Sequence, residues 1–83
     1  MRIFNYPVNE GMNILRVPSG AQVVSVGLRG HHPHVWVMVT PDAPETELRL
    51  YGAMTGQDLP PGFGVYHGRI TIDWLQLHIL GEG

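Results

Sequence analysis

One stretch, His34–Thr40, constrains the fold more than any other part of the chain. Valine fills every second position after its histidine, and a proline stands directly before and directly after the stretch. Because side chains on a strand point alternately to the two faces of a sheet, this spacing puts three valines on one face and Trp36 with Met38 on the other. Prolines are tolerated at strand ends but not in the middle of a ladder. The stretch therefore predicts a β-strand with a buried valine face.

Six further stretches also read as strands, and clusters of turn-forming residues separate them at intervals of about ten residues. The predicted strands are Arg2–Tyr6, Met12–Val17, Gln22–Arg29, Thr46–Tyr51, Val65–Ile72 and Trp74–Leu80. The spacing contains no helical pattern. Together the seven strands predict an all-β fold, either a compact antiparallel β-sandwich or a partly open barrel.

Strict alternation also predicts which side chains share a face. It places Val24 on one face with Val26 and Leu28, Tyr66 with Ile70 and Ile72, and Trp74 with Gln76 and His78. Residues 52–64 are rich in glycine and proline and are predicted to lie outside any ladder. An irregular stretch of this length in a small domain is typical of a functional or mobile loop.

The length and composition predict a single small β domain over residues 1–83 with little core to stabilise it. A chain of 83 residues without cysteine has no disulfide to supplement its core, so association into a homo-oligomer is expected. No apolar run approaches the roughly 18–20 residues of a membrane span, and the first residues lack the apolar region of a signal peptide. We therefore expect a cytoplasmic protein with no membrane partner.

The charge is sparse, and all of the basic residues are arginine. Charged residues make up 14 % of the chain, lysine is absent, and the formal net charge is −2. This charge argues against binding to duplex nucleic acid, which requires a basic face. Two explanations fit an all-arginine set. One is codon bias in a GC-rich genome. The other is recognition of phosphate or carboxylate groups, for which the guanidinium group is suited. The largely neutral surface again favours cover by other subunits.

Several pieces of the chain, in order, resemble a family of small phage and prophage proteins. Its members open with a K-Y-P-like strand, carry P-x-G-A-x-[IV]-[LV]-S-V, continue with a tryptophan strand and finish on W-H-V or a variant. The corresponding pieces here are Phe4-Asn5-Tyr6-Pro7, Pro18-Ser19-Gly20-Ala21-Gln22-Val23-Val24-Ser25-Val26, Val35-Trp36-Val37-Met38-Val39, Leu50-Tyr51-Gly52, Tyr66-His67-Gly68 and Leu77-His78. Asn5 replaces the lysine of that pattern, and Leu77 replaces its final tryptophan. The resemblance implies a phage origin and a small β fold, and it assigns no catalytic residue, because the family's function is unknown.

The histidines near position 32 have three interpretations. His32 and His34 have the H-x-H spacing of strand-borne metal sites, with His67 or His78 as a third ligand. No carboxylate follows on the same face, so neither a metal nor another cofactor is expected. The second interpretation is an exposed turn, created by Pro33, in which a histidine stacks on the neighbouring tryptophan. The third is contact with an anionic ligand or partner, which would make binding sensitive to pH near neutrality.

Catalysis is not indicated by any motif. Ser19 lies in a Pro-Ser-Gly turn, where its hydroxyl would bond nearby backbone, and Ser25 lies within a strand. No nucleophile elbow, phosphate-binding glycine motif or zincin motif is present. We therefore expect a protein that is not an enzyme.

The two tryptophans leave a choice between core and interface. Trp36 lies on the side of its strand away from the valines, so it needs a second apolar cover. Trp74 is in the same situation, because it lies on the face of its strand opposite Leu75, Leu77 and Ile79. If the sheet is covered on both faces by its own chain, both tryptophans are core; otherwise a second subunit covers them.

Two functions remain compatible with these observations. The first is a homo-oligomeric binding protein of a phage in its bacterial host, which sequesters a nucleotide-derived immune signal. Its small anionic ligand would be held by arginines and histidines and stacked on an aromatic ring, with the 52–64 loop closing over it. The predicted ligand-binding residues are Arg29, His32, His34, Trp36, Arg49, Tyr51 and Arg69. The alternative is an inhibitor or accessory protein that binds a host or phage protein through an exposed strand edge or apolar patch.

Overall fold

The computed structural model describes residues 1–83 and confirms an all-β fold of seven strands. The strands are β1 (Arg2–Pro7), β2 (Gly11–Pro18), β3 (Gln22–Arg29), β4 (His32–Val39), β5 (Glu45–Met54), β6 (Val65–Ile72) and β7 (Leu75–Gly81). None of its elements is a helix with the length and apolar character needed to cross a membrane.

The strands form two antiparallel sheets that are not closed into a barrel. A three-stranded sheet has the order β1-β4-β3, and a four-stranded sheet has the order β2-β5-β7-β6. The two sheets pack face to face, and β3 lies beside β6 without a hydrogen-bonded ladder between them. The sandwich is therefore the correct choice between the two predicted architectures.

The core lies between the sheets and contains the predicted valine face of β4. Val35, Val37 and Val39 are almost completely excluded from solvent. They pack against side chains of the opposite sheet, with one further valine from the β1–β2 connection: Leu50, Ile70, Leu77, Ile79 and Val8. Burying each of these side chains contributes about 1.5–3 kcal/mol. Trp36 and Met38 lie on the outer face, as the alternation predicts.

The connection from β1 to β2 is held by one buried side chain. Asn13 accepts a hydrogen bond from the Asn9 amide through Oδ1 at 2.8 Å. Its Nδ2 donates to the carbonyl oxygens of Asn9, Gly11 and Leu50 at 2.9, 3.0 and 3.3 Å. A single amide thus satisfies backbone groups where the chain crosses from one sheet to the other.

The turn before β4 is shorter than predicted. Arg29 pairs with His32, so only Gly30 and His31 form the turn. Gly30 has φ +64°, and glycine with positive φ at the first central position is typical of a type II′ hairpin turn. The interpretation that Pro33 puts His31 and His32 in a turn is thus correct for His31 and wrong for His32, because His32 and Pro33 belong to β4.

Two β-bulges shift the faces that strict alternation predicts. In β3 the pairing slips between Val23 and Ser25, so Val24 is exposed on the outer face while Val23 and Val26 pack on the core. In β6 the pairing slips between Tyr66 and Gly68. Each bulge adds one residue to its strand and reverses the alternation on one side of it. The prediction that Val24 shares a face with Val26 and Leu28 is wrong for this reason.

The bulge in β6 likewise separates Tyr66 from Ile70 and Ile72. Tyr66 is paired with Leu80 on the outer face of the four-stranded sheet, whereas Ile70 and Ile72 face the core.

The position of Trp74 also departs from the prediction. It lies in the turn between β6 and β7 and is 86 % exposed, so it does not share a strand face with Gln76 and His78, and it is not a core residue.

The stretch 52–64 divides into a strand end and a loop. Gly52, Ala53 and Met54 belong to β5 and pair with β7, so only residues 55–64 lie outside the ladders. A side chain at Gly52 would collide with the Asn9 carbonyl oxygen, which explains a glycine inside a paired strand. The loop then folds back over the outer face of the four-stranded sheet, where Phe63 is buried against Ala53 and Leu80.

Candidate functional site

The seven predicted ligand-binding residues lie on two opposite surfaces of the sandwich. The first group lies on the outer face of the three-stranded sheet: Arg29, His32, His34 and Trp36. The second group lies on the outer face of the four-stranded sheet: Arg49, Tyr51 and Arg69. The core separates the two groups, so one molecule of the protein cannot use all seven residues on a single small ligand.

Three aromatic rings follow one another along the outer face of β4, and we call His32, His34 and Trp36 the aromatic row. The two imidazole rings meet edge to face with centroids 5.6 Å apart, and the His34 and Trp36 centroids are 6.2 Å apart. Strand alternation produces this row, because residues two apart share a face. His34 is nearly buried, and its Nδ1 lies 3.1 Å from the His32 carbonyl oxygen. Trp36 is half-buried over Gly27.

Arg29 extends across the aromatic row to the far edge of the sheet. Its Nη1 donates to Oδ1 of Asn5 at 3.2 Å. Arg29 lies on β3 and Asn5 on β1, and both strands pair with the central β4. Since neighbouring strands are about 4.8 Å apart, side chains from β3 and β1 can meet only above β4. The guanidinium group therefore lies over the aromatic row.

A shallow apolar depression continues from the row toward the N-terminal end of β1. It has a volume of about 340 Å³ and is lined by Ile3, Val24, Ser25 and Trp36. Val24 reaches this surface only because of the bulge in β3. This outer face thus combines a cation, aromatic rings and exposed aliphatic side chains.

The arginines of the opposite surface are in different surroundings. Arg49 faces Glu47 on the same strand, with Nη2 and Oε1 3.6 Å apart and both side chains about half exposed. An exposed pair of this kind contributes little to stability. Arg69 lies directly opposite His78 in the ladder and forms no ion pair. The Tyr51 ring contacts the loop residue Phe63, with centroids 5.9 Å apart and ring planes tilted by 50°.

The same surface carries a hydrogen-bonded group that the sequence did not reveal, and we call Tyr66, His78 and Thr55 the hydroxyl–imidazole chain. The Tyr66 hydroxyl lies 2.7 Å from Nδ1 of His78, and Thr55 Oγ1 lies 2.8 Å from its Nε2. All three line a cavity of about 290 Å³. The sequence indicates His78 only as a third metal ligand. It does not indicate the contact with Tyr66, because the bulge that turns Tyr66 outward leaves no signal in the alternation.

A third cavity, of about 440 Å³, lies at the end of the sandwich and includes His67, Leu48, Arg49 and Glu82 in its lining. His67 is the extra residue of the bulge in β6. Burial lowers the pKa of His67 below its ordinary value of 6.5, because removing the imidazole from water disfavours its charged form.

No group of three or more histidine, cysteine, aspartate or glutamate side chains is placed to hold a metal ion. His67 and His78 do not join His32 and His34, since the two pairs belong to different sheets. The arrangement can instead bind through guanidinium, hydroxyl and aromatic groups.

Comparisons with known proteins place the chain in a family. No curated protein and no solved structure matches it. A family model described as "Domain of unknown function (DUF7352)" matches residues 1–81. Because the match covers nearly the whole chain, the protein belongs to the DUF7352 family of domains of unknown function.

Proposed function

We propose that this protein is a non-enzymatic binding protein that takes a small nucleotide-derived anion on the outer face of its three-stranded sheet. The observation that carries the proposal is the hydrogen bond between Arg29 and Asn5, which brings a guanidinium group over the aromatic row. A nucleotide offers two features to such a surface: a phosphate for the cation and a base for an aromatic face.

The guanidinium group is well suited to a phosphate. An arginine has five N–H donors in a rigid fork, and Asn5 accepts from one of its nitrogens. The remaining donors can form paired hydrogen bonds with phosphate oxygens. Because the hydrogen bond to Asn5 restricts the rotamers of this exposed side chain, binding costs less rotamer entropy than it would for an arginine without a partner.

The Trp36 ring supplies the second half of the proposed recognition. It is half-buried and borders the apolar depression beside Ile3 and Val24. Stacking of a base on an aromatic side chain contributes about 1–3 kcal/mol. His32 and His34 extend the aromatic surface beside Trp36. Within this proposal, Arg49, Tyr51 and Arg69 serve the ligand only if a second subunit brings them close.

A homo-oligomer is part of the proposal. Ile3 is 60 % exposed and Val24 is 48 % exposed on the outer face, beside a half-buried tryptophan. A second copy placed against this face would cover these side chains and enclose a ligand that one copy holds only on an open surface.

The biological setting that we propose is a phage or prophage protein in the cytoplasm of an infected bacterium. There it would sequester a nucleotide-derived signal of host immunity. The resemblance of the opening Tyr-Pro strand and the Pro-Ser-Gly-Ala segment to phage proteins supports this setting, and the ligand chemistry of the aromatic row is compatible with it.

Native mass spectrometry of protein purified from infected or signalling cells tests the proposal. We expect an added mass of a small phosphorylated compound. The same compound, at 100 times its dissociation constant, should stabilise the fold by about 2.7 kcal/mol. Arg29→Gln should abolish this gain, whereas Arg16→Gln, an exposed arginine on the other sheet, should leave it unchanged. Retention of ligand by the Arg29→Gln variant would contradict the proposal.

A second function is favoured by a different observation. Strand β2 lies at an edge of the four-stranded sheet and carries exposed Met12 and Ile14. An unpaired strand edge can accept a strand from another protein. Purification with one stoichiometric host or phage protein, no small-molecule mass and loss of the partner on Ile14→Lys would favour this inhibitor or accessory role.

A further inference from the structure

We propose that the hydroxyl–imidazole chain is a second ligand site, specific for a small organic carboxylate with an apolar body. The three side chains come from separate parts of the fold: Tyr66 from β6, His78 from β7 and Thr55 from the start of the loop. Two hydrogen bonds of 2.7 and 2.8 Å join them into one line. The site lies on the surface opposite the aromatic row and is independent of the proposed nucleotide site.

The direction of the protons follows from the chemistry of the two hydroxyls. A phenol is a stronger hydrogen-bond donor and a weaker acceptor than an aliphatic alcohol, and a neutral imidazole has one donor and one acceptor nitrogen. Tyr66 therefore donates to Nδ1 of His78, and Nε2–H donates to Thr55 Oγ1. The Thr55 proton is then left free for a ligand at the cavity. Because bonds in a line polarise one another, this last donor is strengthened.

This direction also distinguishes the site from a nucleophile–base pair. A general base would have to accept the Thr55 proton on Nε2 of His78. In the favoured arrangement Nε2 carries its own proton, so Thr55 acts as a donor and is not activated for attack. The site therefore binds a hydrogen-bond acceptor.

The turn that carries Thr55 is held in a defined geometry. The Gln57 amide N–H donates to the Met54 carbonyl at 3.1 Å, and Gly56 has φ +91°, as the third residue of a type II turn requires. Gln57 Oε1 accepts from the Met54 amide at 2.8 Å, and its Nε2 donates to Glu10 at 2.8 Å. Thr55 is thus positioned before a ligand arrives, which lowers the entropic cost of binding.

The lining of the cavity determines the ligand class. Its lining includes the apolar side chains of Ala53, Leu59 and Leu80, and none of its residues is acidic. Arg69, which forms no ion pair, lies directly opposite His78 in the ladder. The free Thr55 hydroxyl favours an oxygen acceptor, and the positive charge of Arg69 on the strand next to His78 favours an anionic one. The apolar lining favours a hydrocarbon body. The volume of about 290 Å³ suits a single ring.

Benzoate is the probe that tests this site, titrated into the full chain at pH 8 and followed by amide shifts in ¹H–¹⁵N NMR spectra. We expect shifts centred on Thr55, Gly56 and Tyr66, and at least tenfold weaker binding of benzyl alcohol, which lacks the carboxylate. Long-range ¹H–¹⁵N spectra of the imidazole should show the proton of His78 on Nε2.

Variants separate a binding role from a structural one. Thr55→Val should weaken benzoate binding by about tenfold or more, since it removes one hydrogen bond to a charged group, and Arg69→Gln should weaken it several-fold. Thr71→Val is the matched control, because Thr71 is an exposed threonine on the same face of β6 and should leave binding unchanged. A proton on Nδ1 of His78, equal binding of benzyl alcohol, or no response to benzoate would overturn the proposal. Arg29→Gln should have no effect here, so this site and the proposed nucleotide site can fail separately.

Discussion

The His67 imidazole occupies the space that a side chain at Gly81 would need. A Cβ atom on Gly81 would lie 2.6 Å from Nε2 of His67 and 3.3 Å from its Cδ2. His67 reaches this position because it is the extra residue of the bulge in β6. The bulge and the glycine are therefore one feature: the first turns the ring toward Gly81, and the second leaves room for it.

Replacement of Gly81 by alanine should destabilise the fold by about 1–3 kcal/mol, the range for forcing extra volume into a packed site. Urea unfolding measures this loss. Gly27→Ala is the control, because its nearest atom would be at an ordinary 3.6 Å, and it should cost less. The His67→Ala change, made together with Gly81→Ala, should remove most of the penalty; an unrelieved penalty would contradict the proposed collision.

Stability should fall as the pH is lowered through the range of His67. Its pKa in the folded state lies below the ordinary 6.5, so below about pH 6.5 the unfolded chain takes up a proton that the folded chain resists, and the free energy of unfolding decreases. NMR titration should place the His67 midpoint below 6.5, and His67→Gln should flatten this part of the stability profile. A midpoint at or above 6.5 would contradict the burial of the ring.

Phe63→Ala should release the 55–64 loop from the four-stranded sheet. The ring is 8 % exposed and packs with Ala53 and Leu80, so its loss should cost about 3 kcal/mol, the low end for buried aromatic residues. Hydrogen exchange should accelerate in residues 55–64 more than in the strands. Leu59→Ala, in the same loop but 46 % exposed, should cost under about 1 kcal/mol.

The proposed self-association can be tested with two matched isoleucines. Ile3 is 60 % exposed on the outer face of the three-stranded sheet, and Ile14 is 54 % exposed on the outer face of the four-stranded sheet. Ile3→Lys should dissociate the oligomer in sedimentation velocity experiments, because a lysine cannot be covered at an apolar interface without cost. Ile14→Lys should leave the oligomer intact. A wild-type protein that sediments as a monomer would remove the oligomer from the proposal.

Asn13→Ala should reduce stability by about 2–3 kcal/mol, since it leaves buried backbone groups of the β1–β2 connection without partners. Asn13→Asp should be at least as damaging, because a carboxylate cannot donate to the carbonyls of Asn9, Gly11 and Leu50. Thermal unfolding measures both. Asn5→Ala, an exposed asparagine with one side-chain hydrogen bond, should have a much smaller effect on stability.

Regular alternation was the part of the fold that the sequence could reveal. The valines of β4 are buried and Trp36 lies on the other face, because a strand without a bulge has a fixed period of two. Val24 and Tyr66 could not be placed in this way. Their faces depend on bulges whose positions are set by pairing with other strands, and pairing is not encoded in local alternation.

The candidate sites were predictable only where residues share one strand. His32, His34 and Trp36 form a row because they are two apart on β4. The contact of Arg29 with Asn5, and that of Thr55 with His78, join residues 24 and 23 positions apart. These contacts depend on sheet order, and several sheet orders are compatible with the same seven strands.

The position of β7 has a consequence for the order of folding. This strand, Leu75–Gly81, follows the other six along the chain, yet it lies inside the four-stranded sheet between β5 and β6. Until β7 has left the ribosome, β6 has no hydrogen-bonded neighbour and β5 has only one. The nascent chain therefore exposes unpaired strand edges throughout synthesis, and such edges can pair with other chains and aggregate. The four-stranded sheet closes only when β7 pairs with β5. This pairing joins segments that are separated along the chain, so it is intrinsically slow.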